Sequence, residues 1–150
     1  MVPKEALRKA DMFSGLTDME LERVAELGGY EEFKAGADLF REGDEATKLY
    51  IVDQGRVAIQ IELGQGRTIT VSTVSAGETI AWSALVPPHE LTASARCVAD
   101  ARVIAFPAEA LRQLCAARPA LGLKVLKNVA QIASSRLRDT RLQLVSAMHA

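Results

Sequence analysis

Cysteine, aromatic residues and long apolar runs are scarce in this chain of 150 residues, of which 5% are aromatic. Cys97 and Cys115 show no Cys-x-x-Cys spacing and no nearby histidine, so neither a disulfide scaffold nor a cysteine metal site is predicted. We expect both to be small buried hydrophobic residues rather than redox or nucleophilic groups. No apolar run reaches the roughly 18 residues of a membrane span, and no apolar signal core follows Met1. We therefore expect a cytoplasmic chain without a membrane partner.

The net charge is also small, −1 from 18 Lys+Arg and 19 Asp+Glu, which excludes a global attraction to nucleic acid or membranes. The charges are separated along the chain, however, because residues 1–45 carry a net charge of −6 and residues 118–150 a net charge of +5. We expect these two segments to attract each other within or between subunits. The basic side chains of the second segment lack interleaved aromatic residues, so we interpret them as a solvated helix face and predict no nucleic-acid binding by this chain alone. They include Lys124, Lys127, Arg136, Arg138 and Arg141.

Catalytic motifs are absent as well. Neither Gly-x-Ser-x-Gly nor His-Glu-x-x-His occurs, and Gly64-Gln65-Gly66 lacks the third glycine and the following helix of a phosphate-binding loop. The two histidines, His89 and His149, do not support a metal site or a haem ligand. We therefore predict that the chain is not an enzyme and holds no metal or resident cofactor.

The length predicts a single domain, with a helical entry over residues 1–29, a β region over 30–106 and helices over 107–150. In the entry, Thr17 and Glu20 have the spacing of a capping box, which begins a helix that Gly28-Gly29 ends. Residues 57–62 and 67–72 alternate around Gly64-Gln65-Gly66, which predicts a β-hairpin. An apolar run follows over 80–86, further strands are predicted over 92–98 and 102–106, and turns are predicted at Gly36, Gly43 and Gly55. The fold class is α+β, mainly β, with an antiparallel sandwich or barrel.

Two helices are predicted at the carboxyl end, over 108–117 and from Pro119 to about Val145. The longer helix has a heptad seam: Leu123, Leu126, Ala130, Ala133, Leu137, Thr140, Leu144 and Ala147. A shorter apolar stripe lies beside it: Leu121, Val125, Val129 and Ile132. Because two stripes imply two partners, we predict a homodimer through Leu126, Ala130, Ala133, Leu137 and Leu144. The alternative is a helix packed wholly on its own barrel.

Five segments follow one another in an order that points to a known family: Phe13–Thr17, Phe33–Gly36, Leu39–Asp44, Leu49–Val52 and Gly55–Val57. Together they resemble the cyclic nucleotide-binding domain, the sensor module of catabolite-activator-type regulators, cyclic-nucleotide-dependent kinases and gated channels. The resemblance implies an antiparallel β-roll or jelly-roll barrel with helices at the amino end and a long helix at the carboxyl end.

The resemblance also implies a ligand pocket, in which a Gly-Glu pair precedes a short helix and an arginine binds the cyclic phosphate. Counting back from Thr92-Ala93 places the family's glycine at Ala81, its glutamate at Trp82 and its arginine at Leu91. Gly77-Glu78 then belongs to an earlier turn, and both polar anchors are missing. Trp82 is either a ligand contact or a plain core residue. The candidate ligand-binding residues are Ile80, Ala81, Trp82, Ser83, Ala84, Leu91, Thr92 and Ala93.

These features predict a non-enzymatic small-molecule sensor or regulatory module with altered or lost affinity for cyclic nucleotides. Two alternatives remain open: a ligand-free structural or dimerisation module, and a regulatory domain that binds cyclic AMP or cyclic GMP weakly. No helix-turn-helix is expected, because the chain ends at Ala150, shortly after the long helix.

Overall fold

Eight short strands form two antiparallel four-stranded sheets in the computed structural model, which describes residues 1–149. The strands are β1 Gly29–Phe33, β2 Asp38–Phe40, β3 Lys48–Gln54, β4 Val57–Gly64, β5 Arg67–Val74, β6 Thr79–Ile80, β7 Ser94–Cys97 and β8 Ala101–Pro107. Their order is β1-β8-β3-β6 in one sheet and β2-β7-β4-β5 in the other. The helices are α1 Asp18–Ala25, α2 Ala108–Ala117 and α3 Pro119–Met148. The predicted mainly β roll with helices at both ends is thus confirmed, as two open sheets rather than a closed barrel.

The amino-terminal segment begins with two short 3₁₀ turns, Lys4–Leu7 and Asp11–Phe13, followed by α1. The predicted capping box is present at the start of α1. The backbone N–H of Glu20 donates to Thr17 Oγ1 at 3.2 Å, and the backbone N–H of Thr17 donates to Glu20 Oε1 at 2.8 Å. Both bonds satisfy amide groups that have no partner within the helix.

The predicted hairpin is formed by β4 and β5, with the turn at Gly64-Gln65-Gly66. Of the apolar run over residues 80–86, only Ile80 belongs to a strand. Ala81 adopts a left-handed conformation with φ of +64°, which ends β6, and a 3₁₀ turn follows over Trp82–Leu85. The left-handed residue cannot continue an extended strand, because strands require negative φ.

Apolar side chains from both sheets and the helices share one buried core. Phe13 packs edge-on against the fully buried Phe106 of β8, with ring centroids 5.4 Å apart. This contact joins the amino-terminal segment to the sheet. Cys97 is buried and Cys115 is half-buried, and burial raises the pKa of both thiols. Neither thiol is activated, in agreement with their predicted role as small hydrophobic residues.

The carboxyl-terminal helices begin at the predicted positions, and α3 extends three residues beyond the expected end at Val145. The shorter apolar stripe of α3 is buried at all four positions: Leu121, Val125, Val129 and Ile132. Lys124 Nζ lies 2.7 Å from Glu20 Oε1, and this ion pair lowers the pKa of the Glu20 carboxyl. The predicted attraction between the acidic and basic ends therefore occurs within the chain. No helix among residues 1–149 has the length and apolar character required to cross a membrane.

A comparison of two glycines separates the energetic cost of left-handed backbone from the cost of a steric clash. Gly36 and Gly55 have similar φ values of +90° and +94°, but a Cβ at Gly55 would lie 2.4 Å from the carbonyl oxygen of Asp100, whereas nothing lies within 4 Å at Gly36. We expect Gly36→Ala to lower the free energy of unfolding by about 1–2 kcal/mol, and Gly55→Ala by roughly 3 kcal/mol or more, because the clash adds to the left-handed strain. Urea unfolding followed by circular dichroism measures both losses, and equal losses would contradict the steric argument.

Candidate functional site

A cavity of about 540 Å³ lies between the β4–β5 hairpin, the segment that follows β6, and α3. Its lining is mainly apolar. The side chains of the lining are Phe40, Ile59, Ile61, Val71, Ser72, Ile80, Ala81, Trp82, Ser83, Leu91, Thr92, Ala93, Ala133, Ser134, Arg136, Leu137 and Thr140. A concave apolar space of this size with a few polar groups is typical of small-molecule sites.

The structure brings seven of the eight candidate ligand-binding residues to this cavity. Ile80, Ala81, Trp82 and Ser83 line it from one segment, and Leu91, Thr92 and Ala93 from another. The exception is Ala84, which is fully buried outside the lining. Its carbonyl oxygen accepts a hydrogen bond from Arg112 Nη1 at 2.6 Å.

Gly77 and Glu78 form a turn that does not line the cavity. Glu78 Oε1 accepts hydrogen bonds from the backbone N–H of Ser75 at 3.0 Å and from Ser75 Oγ at 3.2 Å. The Glu78 carboxylate thus closes its own turn. This placement agrees with the assignment of Gly77-Glu78 to an earlier turn rather than to the pocket.

Ala81 occupies the position that the resemblance assigned to a glycine. Its φ of +64° and ψ of +37° are left-handed, a conformation that glycine adopts without the steric cost that a Cβ adds. Ala81 precedes the 3₁₀ turn Trp82–Leu85 and turns the chain into the cavity wall. The half-buried Trp82 both packs against the core and lines the cavity, so the two interpretations of this residue are not exclusive.

Leu91 presents an aliphatic side chain to the cavity at the position that the resemblance assigned to an arginine. It is 5% exposed, and its backbone is bonded to the Gly43-Asp44 turn. Its N–H donates to the carbonyl oxygen of Asp44 at 2.9 Å, and its carbonyl oxygen accepts from the N–H of Gly43 at 2.8 Å. Trp82 likewise replaces a carboxylate with an indole. The segments 80–84 and 91–93 therefore contribute no charged side chain to the cavity.

The cation in the cavity lining comes from α3 instead. Arg136 has a side chain that is only 13% exposed, so its interpretation as part of a solvated face is wrong. Its Nη2 donates to the carbonyl oxygen of Thr79 at 2.8 Å and lies 4.0 Å from Glu78 Oε2. Burial lowers the pKa of the guanidinium, while the carboxylates of Glu78, Asp11 and Asp139 oppose that shift.

Sequence reasoning missed Arg136 although a signal was present. The buried stripe of α3 runs Leu121, Val125, Val129, Ile132, and the next position at a spacing of four is Arg136. Sequence reasoning also missed the lining from outside the candidate segments: Phe40, Ile59, Ile61, Val71, Ser72, Ser134 and Thr140.

The far half of α3 is joined to the hairpin by a side-chain hydrogen bond, in which Ser72 Oγ donates to Asp139 Oδ2 at 3.0 Å. Within α3, Thr140 Oγ1 donates to the carbonyl oxygen of Arg136 at 2.9 Å. Within residues 1–149, no cluster of three or more histidine, cysteine, aspartate or glutamate side chains is arranged to hold a metal ion.

The predicted dimerisation seam is exposed along most of its length. Leu126, Leu137 and Leu144 are 53%, 52% and 43% exposed, and Ala130 is exposed while Ala133 is half-buried. Ala133 and Leu137 also line the cavity. One helix therefore presents neighbouring faces to the cavity and to solvent.

Comparison with known proteins finds relatives of one family. Residues 30–118 match the family model of the cyclic nucleotide-binding domain. The chain is 26% identical over 140 residues to a CRP-like cAMP-activated global transcriptional regulator of Mycobacterium tuberculosis, an alignment that covers 93% of this chain and 61% of the regulator. The chain thus spans less than two thirds of that relative.

Solved structures point to the same family as the sequence comparisons. A protein of Geobacter metallireducens described as cyclic nucleotide-binding superposes with a TM-score of 0.80 and 29% identity, covering 91% of this chain and 99% of the other. The catabolite activator protein of Thermus thermophilus superposes with a TM-score of 0.75 and 26% identity, covering 93% of this chain and 63% of the other.

Ala81 allows a direct test of backbone strain at the cavity wall. We expect Ala81→Gly to raise the free energy of unfolding by about 0.5 kcal/mol, because relief of left-handed strain of about 1–2 kcal/mol exceeds the entropy that glycine adds to the unfolded chain. The matched control is Ala84→Gly, a buried alanine in the adjacent 3₁₀ turn, which we expect to lower stability. Urea unfolding measures both, and a loss at Ala81 as large as that at Ala84 would contradict the strain.

Proposed function

Because the chain belongs to the cyclic nucleotide-binding domain family, we propose that it is a non-enzymatic regulatory module that senses a small molecule in the cavity, with low affinity for cyclic nucleotides. The observation that carries this proposal is the replacement of both polar anchors: Leu91 stands where the family's arginine is expected and Trp82 where its glutamate is expected. A cytoplasmic location and the absence of nucleic-acid binding by this chain alone are parts of the same proposal.

The loss of the arginine has a definite energetic consequence. Removing one partner of a desolvated charge pair typically costs about 2–5 kcal/mol, which is a factor of roughly 30 or more in affinity. A cyclic phosphate placed against Leu91 would lose its solvation without gaining a guanidinium partner. Indole N–H and hydroxyl groups replace only part of that interaction, because they carry no charge.

Persistence of the cavity favours sensing over a ligand-free module. Core packing leaves few voids larger than a water molecule, so a pocket without a ligand would be expected to fill with side chains. Here about 540 Å³ is lined by residues from both sheets and from α3. A ligand in this space would contact α3 directly, and a ligand that prefers one pose of α3 would shift the helix toward that pose.

The second part of the proposal is a homodimer formed through α3. Its support is the exposure of Leu126, Leu137 and Leu144 at heptad spacing, beside a stripe that the chain already buries. Since Leu137 belongs to both the seam and the cavity lining, a dimer would couple ligand occupancy to the geometry of two chains.

The affinity for cyclic nucleotides tests the first part. Isothermal titration calorimetry with cyclic AMP and cyclic GMP is expected to give a Kd of roughly 1 mM or weaker, because the charged clamp is absent. Leu91→Arg is expected to strengthen binding about tenfold or more if it folds, as thermal unfolding will show. Leu63→Arg, which adds the same charge to a half-exposed position outside the cavity, serves as the control. A micromolar Kd for the parent chain would contradict the altered pocket. If cyclic nucleotides bind as weakly as expected, a thermal-shift screen with other metabolites identifies the preferred ligand.

Sedimentation tests the dimer. Leu126→Glu places a charge on the seam and is expected to convert a dimer to a monomer, because a buried unpaired carboxylate is strongly unfavourable. Leu142→Glu, at a position that is 62% exposed on the side of α3 away from the seam, is expected to leave the dimer intact. A monomeric parent chain at high concentration, or equal effects of both substitutions, would contradict the predicted interface.

A further inference from the structure

Arg136 is a permanent cation with few partners, in a cavity whose lining contains no other charged residue. Guanidinium groups carry five N–H donors. In the part of the chain that the structure describes, the Arg136 side chain makes one hydrogen bond, from Nη2 to the carbonyl oxygen of Thr79 at 2.8 Å. The carboxylate oxygen in reach, Glu78 Oε2, lies 4.0 Å away, beyond hydrogen-bond distance. A charge that is 13% exposed thus has donors to spare and faces a cavity.

The surrounding carboxylates are already bonded to other groups. Glu78 accepts from Ser75, Asp139 accepts from Ser72, and Asp11 accepts from both the hydroxyl and the backbone N–H of Thr79. These three carboxylates stabilise the charge of Arg136 at a distance without occupying its donors. They also disfavour a second negative charge in the cavity, because like charges repel strongly in a poorly solvated site.

The remaining lining defines the body of the ligand. Ile59, Ile61, Val71 and Leu91 present aliphatic surface, and Trp82 presents an aromatic ring. We infer that Arg136 is the anchor for a small organic monoanion with an apolar or aromatic body, held by paired N–H···O bonds from the guanidinium. The inference rests on the proposed function, since it names the class of molecule that the sensing cavity takes. Arginine suits this task because its planar fork matches the two oxygens of a carboxylate or sulfonate.

The position of the anchor on α3 has a structural consequence. An anion bound to Arg136 would join α3 to the cavity wall through the ligand, in addition to the existing bond to Thr79. Occupancy would therefore stabilise the docked pose of the helix by the ligand's own binding energy.

The test uses two dyes that differ in one charge. 8-Anilinonaphthalene-1-sulfonate and N-phenyl-1-naphthylamine share an apolar body, and only the first carries a sulfonate. Trp82, the one tryptophan of the chain, lines the cavity and serves as the energy donor for either dye. Titrations are compared for the parent chain, Arg136→Gln, Arg136→Lys and the control Arg138→Gln, which alters an exposed arginine two positions along α3.

We expect Arg136→Gln to weaken sulfonate-dye binding about tenfold or more and to leave the neutral dye within about twofold, because only the anion uses the guanidinium. Arg136→Lys, which keeps the positive charge, is expected to retain most of the preference for the sulfonate dye. If Arg136→Gln does not fold, the lysine variant takes its place in the comparison with the parent chain. Arg138→Gln is expected to change neither affinity.

Three results would overturn the inference. Equal weakening of both dyes by Arg136→Gln would show that the residue supports only the shape of the cavity. Unchanged binding of the sulfonate dye in that variant would show that the anion does not contact Arg136. Failure of both dyes to accept energy from Trp82 in the parent chain would overturn the proposed sensing function as well, which distinguishes the two failures.

Discussion

The candidate site depends on the docking of α3 against the rest of the chain. The first half of the helix supplies that docking, through the buried side chains of Leu121, Val125, Val129 and Ile132. Asn128 adds two hydrogen bonds, from Nδ2 to the carbonyl oxygens of Met12 at 2.8 Å and Ser14 at 2.9 Å. Without this anchorage, neither Arg136 nor Leu137 would face the hairpin, and the cavity would lack one wall. The site is therefore a product of helix packing as much as of the sheets.

Much of the fold follows from signals between residues that are close together in the sequence. The capping box at Thr17 and Glu20, the turn at Gly64-Gln65-Gly66 and the start of α2 after Pro107 depend on residues a few positions apart. Such signals act through the backbone of their own segment, so they predict the elements and most of their boundaries. The apolar stripe of α3 likewise identified the face that is buried.

The site was harder to predict, because its contacts join distant segments. Arg136 and the carbonyl group of Thr79 are 57 residues apart, and no local pattern pairs them. A charged residue after an apolar stripe normally marks the point where a helix leaves the core, whereas here it is a largely buried cation in the lining of a mainly apolar cavity. The left-handed backbone of Ala81 could not be read from the residue itself for a related reason, because alanine rarely adopts that conformation.

The length of α3 beyond Arg136 determines how far a tilt of the helix would carry its carboxyl end. From Arg136 to Met148 the helix continues for twelve residues, about 18 Å at 1.5 Å per residue. Residues 141–148 are exposed, so this section would follow any tilt of the part of α3 that lines the cavity. A tilt of about 10° at Arg136 would displace its tip by about 3 Å. If the cavity takes a small molecule as proposed, the helix would convert a small adjustment around that ligand into a larger displacement at its carboxyl end.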